Sequence, residues 1–237
     1  MTSEYRDQFY SSYVTGHQGE VVEAGSAPAF LADIIARLPH DDLGAAILDV
    51  GCGQGQIMRL AATSGFRNVS GIDLSPEQVD LAKRLGTERV EEGDLFTYST
   101  EHAGQFDAVI AVDLVEHFDR SQVAAVFAAL AALLRPGGRL ILRTPNGSSP
   151  YAGRILYSDM THGVAYTARS LKQIAATSGF SSVTAYPVRP SGGGAKQRVR
   201  RALWRLIEFV LVIPLIVETG QVRGHLVTQN LVAVLRR

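Results

Sequence analysis

The segment LDVGCGQG, residues 48–55, constrains the fold more than any other stretch of the chain. It overlaps AILDVG (46–51), a short continuous apolar run of the kind that forms a buried parallel strand. Three glycines then allow a tight turn and a close approach of the backbone to a ligand, because glycine tolerates positive φ angles. With the helix predicted over residues 55–64, the segment forms a strand–turn–helix unit.

The same alternation continues along the chain. Strands are predicted at 46–51, 68–73, 90–95, 106–112, 139–144, 182–188 and 225–235, and helices at 26–38, 55–64, 76–85, 121–134 and 168–178. Strands that alternate with helices in this way form right-handed βαβ units and a mostly parallel, doubly wound sheet. We therefore predict an α/β domain over residues 41–237, with an N-terminal helical lid over 1–40 and a helical insert at about 191–224.

Composition indicates a globular protein, since 46% of the 237 residues are hydrophobic and 19% are charged. The single cysteine, Cys52, excludes an intrachain disulfide and a thiolate zinc cage. The first residues lack the apolar core of a secretory signal, and the longest apolar run, 206–217, is too short to span a bilayer. These features predict a soluble, cytoplasmic protein.

Acidic residues follow two further strands at the edge where the glycines lie. The glycine spacing is G-x-G-x-G, with Gln56 where a dinucleotide-binding fingerprint requires glycine, so a nicotinamide cofactor is disfavoured. Asp73 ends the next strand, where a carboxylate accepts hydrogen bonds from ribose hydroxyls. Asp94 and Leu95 close the third strand and are placed to bracket an adenine. The sequence therefore predicts an adenosine pocket.

Five segments in order carry a family resemblance: LDVGCGQG, GIDLS, EEGDL, FDAVIAVDLVEHF and RPGGRLIL, within about 45–145. They resemble the successive motifs of class I S-adenosylmethionine-dependent methyltransferases. The resemblance implies a Rossmann-like, doubly wound sheet of seven strands with an antiparallel last strand. It also implies a set of residues that bind S-adenosylmethionine: Gly51, Gly53, Gly55, Asp73, Leu74, Asp94, Leu95 and Asp113.

Shorter resemblances concern the subfamily. VDLVEHF (112–118) looks like the corresponding segment of ubiquinone-type O-methyltransferases. YSSYVTGH (10–17) and DMTHGVAYT (159–167) are similar to segments of methyltransferases associated with bacterial polysaccharide gene clusters.

Transfer of a methyl group to a hydroxyl requires either a base that removes the proton or a metal that lowers the pKa of the acceptor hydroxyl. Asp113, Glu116 and His117 stand at i, i+3 and i+4, so in a helical turn they share one face and predict a site for Mg²⁺ or another divalent ion. The resemblance places a glutamate at position 113, and Asp113 has a shorter side chain. Alternatively, the two carboxylates cap helix ends and His117 packs beside the methionine moiety.

His117 is one candidate base, and the loop SDMTHGVAYT (158–167) offers another, His162, with Asp159 three residues earlier to orient the imidazole. In the alternative, His162 is a structural loop histidine. A lid would bring His17 over the pocket as a weaker candidate. The predicted acceptor-binding residues are Tyr13, His17, Asn146 and Tyr166.

The insert concentrates positive charge. Residues 1–195 carry 15 basic and 21 acidic side chains, whereas residues 196–237 carry 8 and 2. In KQRVRRALWRLIEFVLVIPLIV (196–217), five basic residues and Trp204 accompany a strongly apolar stretch. One interpretation is a membrane-surface helix. The other is a helix that packs over the substrate pocket or forms a homodimer face.

The leading functional hypothesis is O-methylation of a sugar or glycan hydroxyl, favoured by the many polar residues of 143–170. Methylation of a phenol, a quinol or another small natural product is the alternative within the same class. A non-catalytic S-adenosylmethionine-binding protein is the alternative from another class. Nucleic acid is not a predicted partner, because the chain has no separate basic domain and no Asn/Asp-Pro-Pro-aromatic motif after the fourth strand.

Overall fold

The computed structural model describes residue 28 and residues 30–237. Tyr13, His17 and most of the predicted N-terminal lid lie outside the described residues. The strands are β1 (Ile47–Val50), β2 (Val69–Asp73), β3 (Val90–Glu92), β4 (Phe106–Val112), β5 (Leu134–Pro145), β6 (Ser182–Pro187) and β7 (Asn230–Arg236). The helices are α1 (Phe30–Ile35), α2 (Gln56–Thr63), α3 (Pro76–Arg84), α4 (Leu95–Glu101), α5 (Val123–Leu133), α6 (Ala152–Leu156), α7 (Ala168–Thr177) and α8 (Gly194–Thr219).

The strands form one seven-stranded sheet in the order β3-β2-β1-β4-β5-β7-β6. Strands β1 to β5 pair in parallel, and β7 lies antiparallel between β5 and β6. The order reverses beside β1, which creates a crevice outside the carboxyl ends of β1 and β4. The predicted Rossmann-like, mostly parallel sheet with an antiparallel last strand is confirmed.

Helices cover both faces of the sheet because its strands are apolar on both sides. In β4, Val109 and Ala111 belong to the core beneath α4, α5 and α7, whereas Ala108 and Ile110 belong to the core beneath α1, α2 and α3. This alternation follows from the two-residue period of a strand. Residues such as Phe127 on one side and Ile34 on the other are fully buried.

The third strand is shorter than predicted. It ends at Glu92, and Asp94 is the N-cap of α4, where its side chain accepts hydrogen bonds from the backbone N–H groups of Phe96 and Thr97. A carboxylate in this position pairs N–H groups that have no partner within the helix. Leu95 therefore begins a helix instead of ending a strand.

Helix α8 occupies the segment between β6 and β7. It runs for 26 residues, includes Pro214 and ends at Gly220, which has a φ of 70°. No residue of this helix is buried. Among the residues that the structure describes, no helix combines the length and apolarity needed to cross a membrane.

Candidate active site

A cavity of about 400 Å³ opens at the carboxyl ends of β1, β2 and β4. The turn between β1 and α2 forms its floor, and the segments after β2, β3 and β4 form its sides. This is the position that the order reversal in the sheet predicts. Of the predicted cofactor-binding residues, those that line the cavity are Gly51, Gly53, Asp73, Leu74, Asp94, Leu95 and Asp113.

Two glycines of the turn are required for different reasons. Gly51 has a φ of 69° and faces Leu114, whose Cδ1 would lie 3.0 Å from an added Cβ. Gly55 is not among the residues that line the cavity, and its contact with the cofactor stays a prediction. Its φ is 75°, and an added Cβ would lie 2.6 Å from the hydroxyl of Thr87. Gly55 therefore allows the start of α2 to pack closely against Thr87.

Asp73 joins the glycine turn to the end of β2. Its Oδ2 accepts a hydrogen bond from the N–H of Gly53 at 2.7 Å, and its Oδ1 accepts one from the N–H of Ser75 at 2.9 Å. Burial raises the pKa of Asp73, and the backbone N–H groups oppose that shift. A carboxylate held in this way can present its remaining lone pairs to ribose hydroxyls.

Four polar residues around the cavity were not predicted from the sequence. Asp49 Oδ2, Gln54 Oε1, Gln56 Nε2 and Gln78 Oε1 are buried without a hydrogen-bond partner in the described part of the chain, and all four residues line the cavity. Buried polar atoms are normally hydrogen-bonded, so this cluster fits a ligand with polar groups of its own. The placement of Gln54 and Gln56 in the glycine turn is the sequence signal that identifies them.

Asp49 is the most unusual member of this group because it is an acid at 1% exposure. Burial, and secondarily the negative charge of Asp73, holds the pKa of Asp49 well above its ordinary range. A cationic group would stabilise its carboxylate form. The residues therefore fit S-adenosylmethionine, with Asp49 suited to the ammonium group and Asp73 to the ribose.

Asp113 follows β4 in a left-handed conformation, with a φ of 51°. Its carboxylate forms an ion pair with Arg143, whose guanidinium lies 3.9 Å from the centroid of the Phe30 ring. Arg143 therefore neutralises one oxygen of the Asp113 carboxylate.

Glu116 belongs to the interior of the protein. The residue is 1% exposed, and its Oε2 accepts a hydrogen bond from the hydroxyl of Thr144 at 3.1 Å. Burial raises the pKa of Glu116 to about 8, and the charge of Asp113 adds to that effect. Glu116 is consequently protonated at neutral pH.

Within the described residues, Asp113, Glu116 and His117 are not brought together as one set of metal ligands, so the divalent ion stays a prediction. Asp113 pairs with Arg143, Glu116 is buried against Thr144, and the Nδ1 of His117 pairs with the hydroxyl of Thr161. No cluster of three metal-ligating side chains is formed within the described residues.

A chain of hydrogen bonds instead orients His117, which lines the cavity. The hydroxyl of Thr161 lies 2.6 Å from Asp159 Oδ1 and 2.8 Å from His117 Nδ1. A carboxylate can only accept, so the single hydroxyl proton of Thr161 is donated to Asp159. His117 must then donate from Nδ1, which leaves Nε2 unprotonated in the neutral ring. We call this chain the Asp159–Thr161–His117 relay.

His162 is a neighbour of the relay and not a member of it. Its ring lies edge-on to His117 at a centroid distance of 4.8 Å, and its Nδ1 donates to the carbonyl of Ile155 at 3.0 Å. His162 does not line the cavity. Asp159 is connected through Thr161 to His117, and the role of His162 as a base stays a prediction.

Two predicted acceptor contacts are structural. Asn146 is fully buried and donates to the carbonyls of Leu226 and Thr228 at 2.9 and 2.8 Å. The hydroxyl of Tyr166 donates to the carbonyl of Val115 at 3.1 Å. Neither residue lines the cavity, so we assign both to the packing of the loops after the strands.

The fold and the cavity together define a class I S-adenosylmethionine-dependent methyltransferase. A family model described as a methyltransferase domain matches residues 24–185. The chain belongs to this methyltransferase-domain family.

Curated relatives match about half of the chain. The chain is 40% identical over 124 residues to the ubiquinone biosynthesis O-methyltransferase of Xanthomonas oryzae pv. oryzae, which is 50% of each protein. It is 36% identical over 124 residues to the enzyme of the same name from Xylella fastidiosa, which is 50% of this chain and 48% of that protein. The chain therefore aligns with about half the length of these relatives.

Solved structures share the whole fold at low identity. A SAM-dependent methyltransferase from Archaeoglobus fulgidus superposes with a TM-score of 0.68 and 18% identity, over 95% of this chain and 99% of that one. The 1,6-didemethyltoxoflavin-N1-methyltransferase of Burkholderia thailandensis, with bound 1,6-didemethyltoxoflavin and S-adenosylhomocysteine, superposes with a TM-score of 0.61 and 20% identity. That match covers 99% of this chain and 89% of the other.

Proposed function

We propose that this protein methylates a hydroxyl oxygen of an aromatic acceptor, a phenol or a quinol, and that His117 is the base. The observation that carries the proposal is the relay, which leaves Nε2 of His117 as the unprotonated nitrogen of a ring that lines the cavity. S-adenosylmethionine supplies an electrophilic methyl group when bound. The task of the chain is to hold the acceptor and to remove its proton.

A base beside the acceptor position supports an oxygen acceptor, because a phenolic hydroxyl is a poor nucleophile until its proton is removed. His117 accepts that proton at Nε2. Asp159 then stabilises the imidazolium through Thr161, in the way that a buried carboxylate supports a catalytic histidine elsewhere. The relatives named ubiquinone biosynthesis O-methyltransferase support the same reaction class.

The cavity wall around His117 supports an aromatic acceptor. Phe30, Leu114 and Phe118 line the cavity together with His117. Apolar and aromatic side chains of this kind favour a flat, poorly hydrated ring.

Three of the polar residues that favoured a glycan have other roles. Arg143 is held by Asp113, Asn146 binds backbone carbonyls, and the hydroxyl of Ser149 donates to the carbonyl of Val227. Their polarity therefore serves the fold, and it does not support a polar acceptor site. A sugar hydroxyl is the competing acceptor, and the acceptor assay includes it.

The test measures formation of S-adenosylhomocysteine with phenolic and sugar acceptors, for the wild type and for His117→Asn. We expect turnover on phenols and a fall in kcat of at least about 100-fold in the variant, which is the usual contribution of a general base. Affinity for S-adenosylhomocysteine should stay within about threefold, because the proposed role of His117 is toward the acceptor and not toward the cofactor.

The matched control is His225→Asn, which changes a histidine outside the cavity lining that is bonded to the carbonyl of Gln221. It should keep wild-type turnover. Full activity in His117→Asn would overturn the assignment of the base. Turnover on sugars alone would overturn the aromatic acceptor, and cofactor binding without turnover on either pool would favour the non-catalytic alternative.

A further inference from the structure

Helix α8 exposes a long apolar surface, which we call the outer row: Val199, Leu203, Leu206, Phe209, Val210, Ile213 and Val217. Most of these residues are spaced alternately by three and four positions, so they share one face of the helix. Leu206 is 62% exposed and Val217 is 80% exposed. At 1.5 Å per residue, the outer row is about 27 Å long.

The opposite face of α8 is attached to the protein. Glu208 accepts two hydrogen bonds from the guanidinium of Arg189, at 2.8 and 3.1 Å. Arg201 donates to the carbonyl of Gly192 at 2.9 Å. These contacts fix which face of the helix points outward, so the outer row is a defined surface of the protein.

Positive charge accompanies the outer row at its amino-terminal end. Lys196, Arg198, Arg200 and Arg205 are exposed, and none of the four forms an ion pair within the described chain. A partner that covers the outer row therefore binds more tightly if it carries negative charge near that end of α8.

The sheet topology places this surface near the active site. Strand β6 runs parallel to the five central strands, because both β5 and β6 are antiparallel to β7. The end of β6 and the start of β7 therefore lie at the carboxyl edge of the sheet. Helix α8 leaves and re-enters the sheet at the edge where the cavity opens.

From these observations we infer that α8 is an interfacial helix that binds the surface of a membrane containing anionic lipids. The outer row enters the boundary between headgroups and acyl chains, and the basic residues contact the anionic headgroups. The helix lies on the membrane and does not cross it. This inference does not rest on the identity of the methyl acceptor.

Charge favours a lipid surface over a second copy of the chain. Helix α8 contains two carboxylates, Glu208 and Glu218, and Arg189 already pairs with Glu208. Two outer rows in contact would therefore place each set of unpaired cations against a helix that offers few counter-charges. An anionic bilayer supplies both the apolar depth and the opposite charge.

The test is co-sedimentation of the full chain with vesicles of phosphatidylcholine alone and with vesicles containing phosphatidylglycerol. We expect binding to the anionic vesicles that weakens at about 0.5 M salt, because added salt shortens the Debye length and screens the lipid charge. The double variant Leu206→Ser/Phe209→Ser removes two exposed apolar side chains and should bind at least about tenfold more weakly. Arg198→Glu/Arg200→Glu should show a similar loss.

Two matched controls separate this surface from the rest of the protein. Tyr157→Ser changes a side chain that is 82% exposed outside α8, and Lys172→Glu reverses an exposed charge on α7. Both should bind vesicles like the wild type. Circular dichroism should show the same fold for all variants, because every substituted side chain is exposed.

Three results would overturn the inference. One is an absence of wild-type binding to either vesicle, and another is equal binding to the uncharged vesicles. The third is a dimer in analytical ultracentrifugation that dissociates in Leu206→Ser/Phe209→Ser while vesicle binding is absent, which would assign the outer row to a second copy of the chain. If the wild type binds anionic vesicles but transfers no methyl group to a phenol, the proposed function is contradicted and the membrane inference is not.

Discussion

At the scale of single residues, two buried acids lie near the cavity, but only one of them is placed to contact a ligand. Asp49 lines the cavity and has an oxygen without a partner among the described residues, so a bound cation can satisfy it. Glu116 is bonded to Thr144 and does not line the cavity. Burial raises the pKa of both groups. Substitution by the neutral amide should therefore change stability at both positions but weaken ligand binding only at Asp49.

Asp49→Asn should stabilise the ligand-free protein and weaken cofactor binding. The change removes a buried carboxyl group whose ionisation burial opposes, and it also removes the negative charge that suits an ammonium group. We expect a higher Tm without ligand and an affinity for S-adenosylhomocysteine at least about tenfold lower, since a hydrogen bond to a charged group contributes about 1.5–3 kcal/mol. Calorimetric titration measures the affinity, and thermal melts measure the Tm. Unchanged affinity would show that Asp49 does not contact the ligand.

Glu116→Gln should remove a pH dependence of stability. The pKa of Glu116 is raised from an ordinary value of 4.5 to about 8, so the fold favours the protonated form. The stabilising contribution of Glu116 to the free energy of unfolding is complete below about pH 4.5. It is lost as the pH rises to about 8. Each pH unit in that window costs about 1.4 kcal/mol, and glutamine avoids this cost.

Urea denaturation from about pH 5 to about pH 9 measures this effect. The free energies of unfolding of the wild type and Glu116→Gln should diverge as the pH rises and run parallel above about pH 8. Glu88→Gln, at an exposed glutamate, is the matched control and should follow the wild type. Parallel curves for Glu116→Gln across the whole range would show that Glu116 titrates normally in the folded protein.

At the scale of elements, the relay connects two loops that are distant in sequence. His117 belongs to a 3-10 turn after β4, and Thr161 lies 44 residues later, before α7. The backbone N–H of Gly163 donates to the carbonyl of Glu116 at 2.7 Å, which holds the two loops together. The proposed base, His117, is therefore positioned by contacts between loops that are distant in sequence.

Thr161→Val should reduce kcat about tenfold or more while leaving cofactor affinity unchanged, because one hydrogen bond to a developing charge is lost. Thr161→Ser keeps the hydroxyl and should restore the rate. The pH–rate profile separates positioning from a structural defect, since only loss of the relay shifts its acidic limb. A profile identical to that of the wild type would place Thr161 outside the proton path.

Regular elements were predictable wherever local patterns decide them. FDAVIAV is apolar along almost its whole length, and β4 occupies residues 106–112 as predicted. A helix was predicted at 168–178, and α7 begins after Thr167, whose side chain accepts from the N–H of Ser170. Both signals act within a few residues, so a single sequence contains them.

The site was predictable in part, for the same reason. The glycine turn and Asp73 lie at strand ends, where topology brings them together. By contrast, Asp159 acts on His117 and not on His162, and Asn146 binds backbone carbonyls 80 and 82 residues away. Such pairings depend on the three-dimensional path of loops, which no local spacing encodes.

At the scale of the whole molecule, the two apolar cores on either side of the sheet involve every strand, yet neither includes α8. The cavity is likewise lined entirely by residues that precede β5. Cofactor binding and the proposed membrane contact therefore belong to parts of the molecule that share an edge of the sheet but no core residue.

Replacing residues 194–219 with a short Gly-Ser linker tests this separation. No residue of α8 is buried, so the variant should fold and lose less than about 2 kcal/mol of stability, from half-buried contacts alone. With S-adenosylhomocysteine at about 100 times its Kd, wild type and variant should both gain about 2.7 kcal/mol, whereas NAD should stabilise neither. Vesicle binding should disappear. If the shortened protein melts normally but gains nothing from S-adenosylhomocysteine, α8 supports the cofactor site and the two functions are not separable.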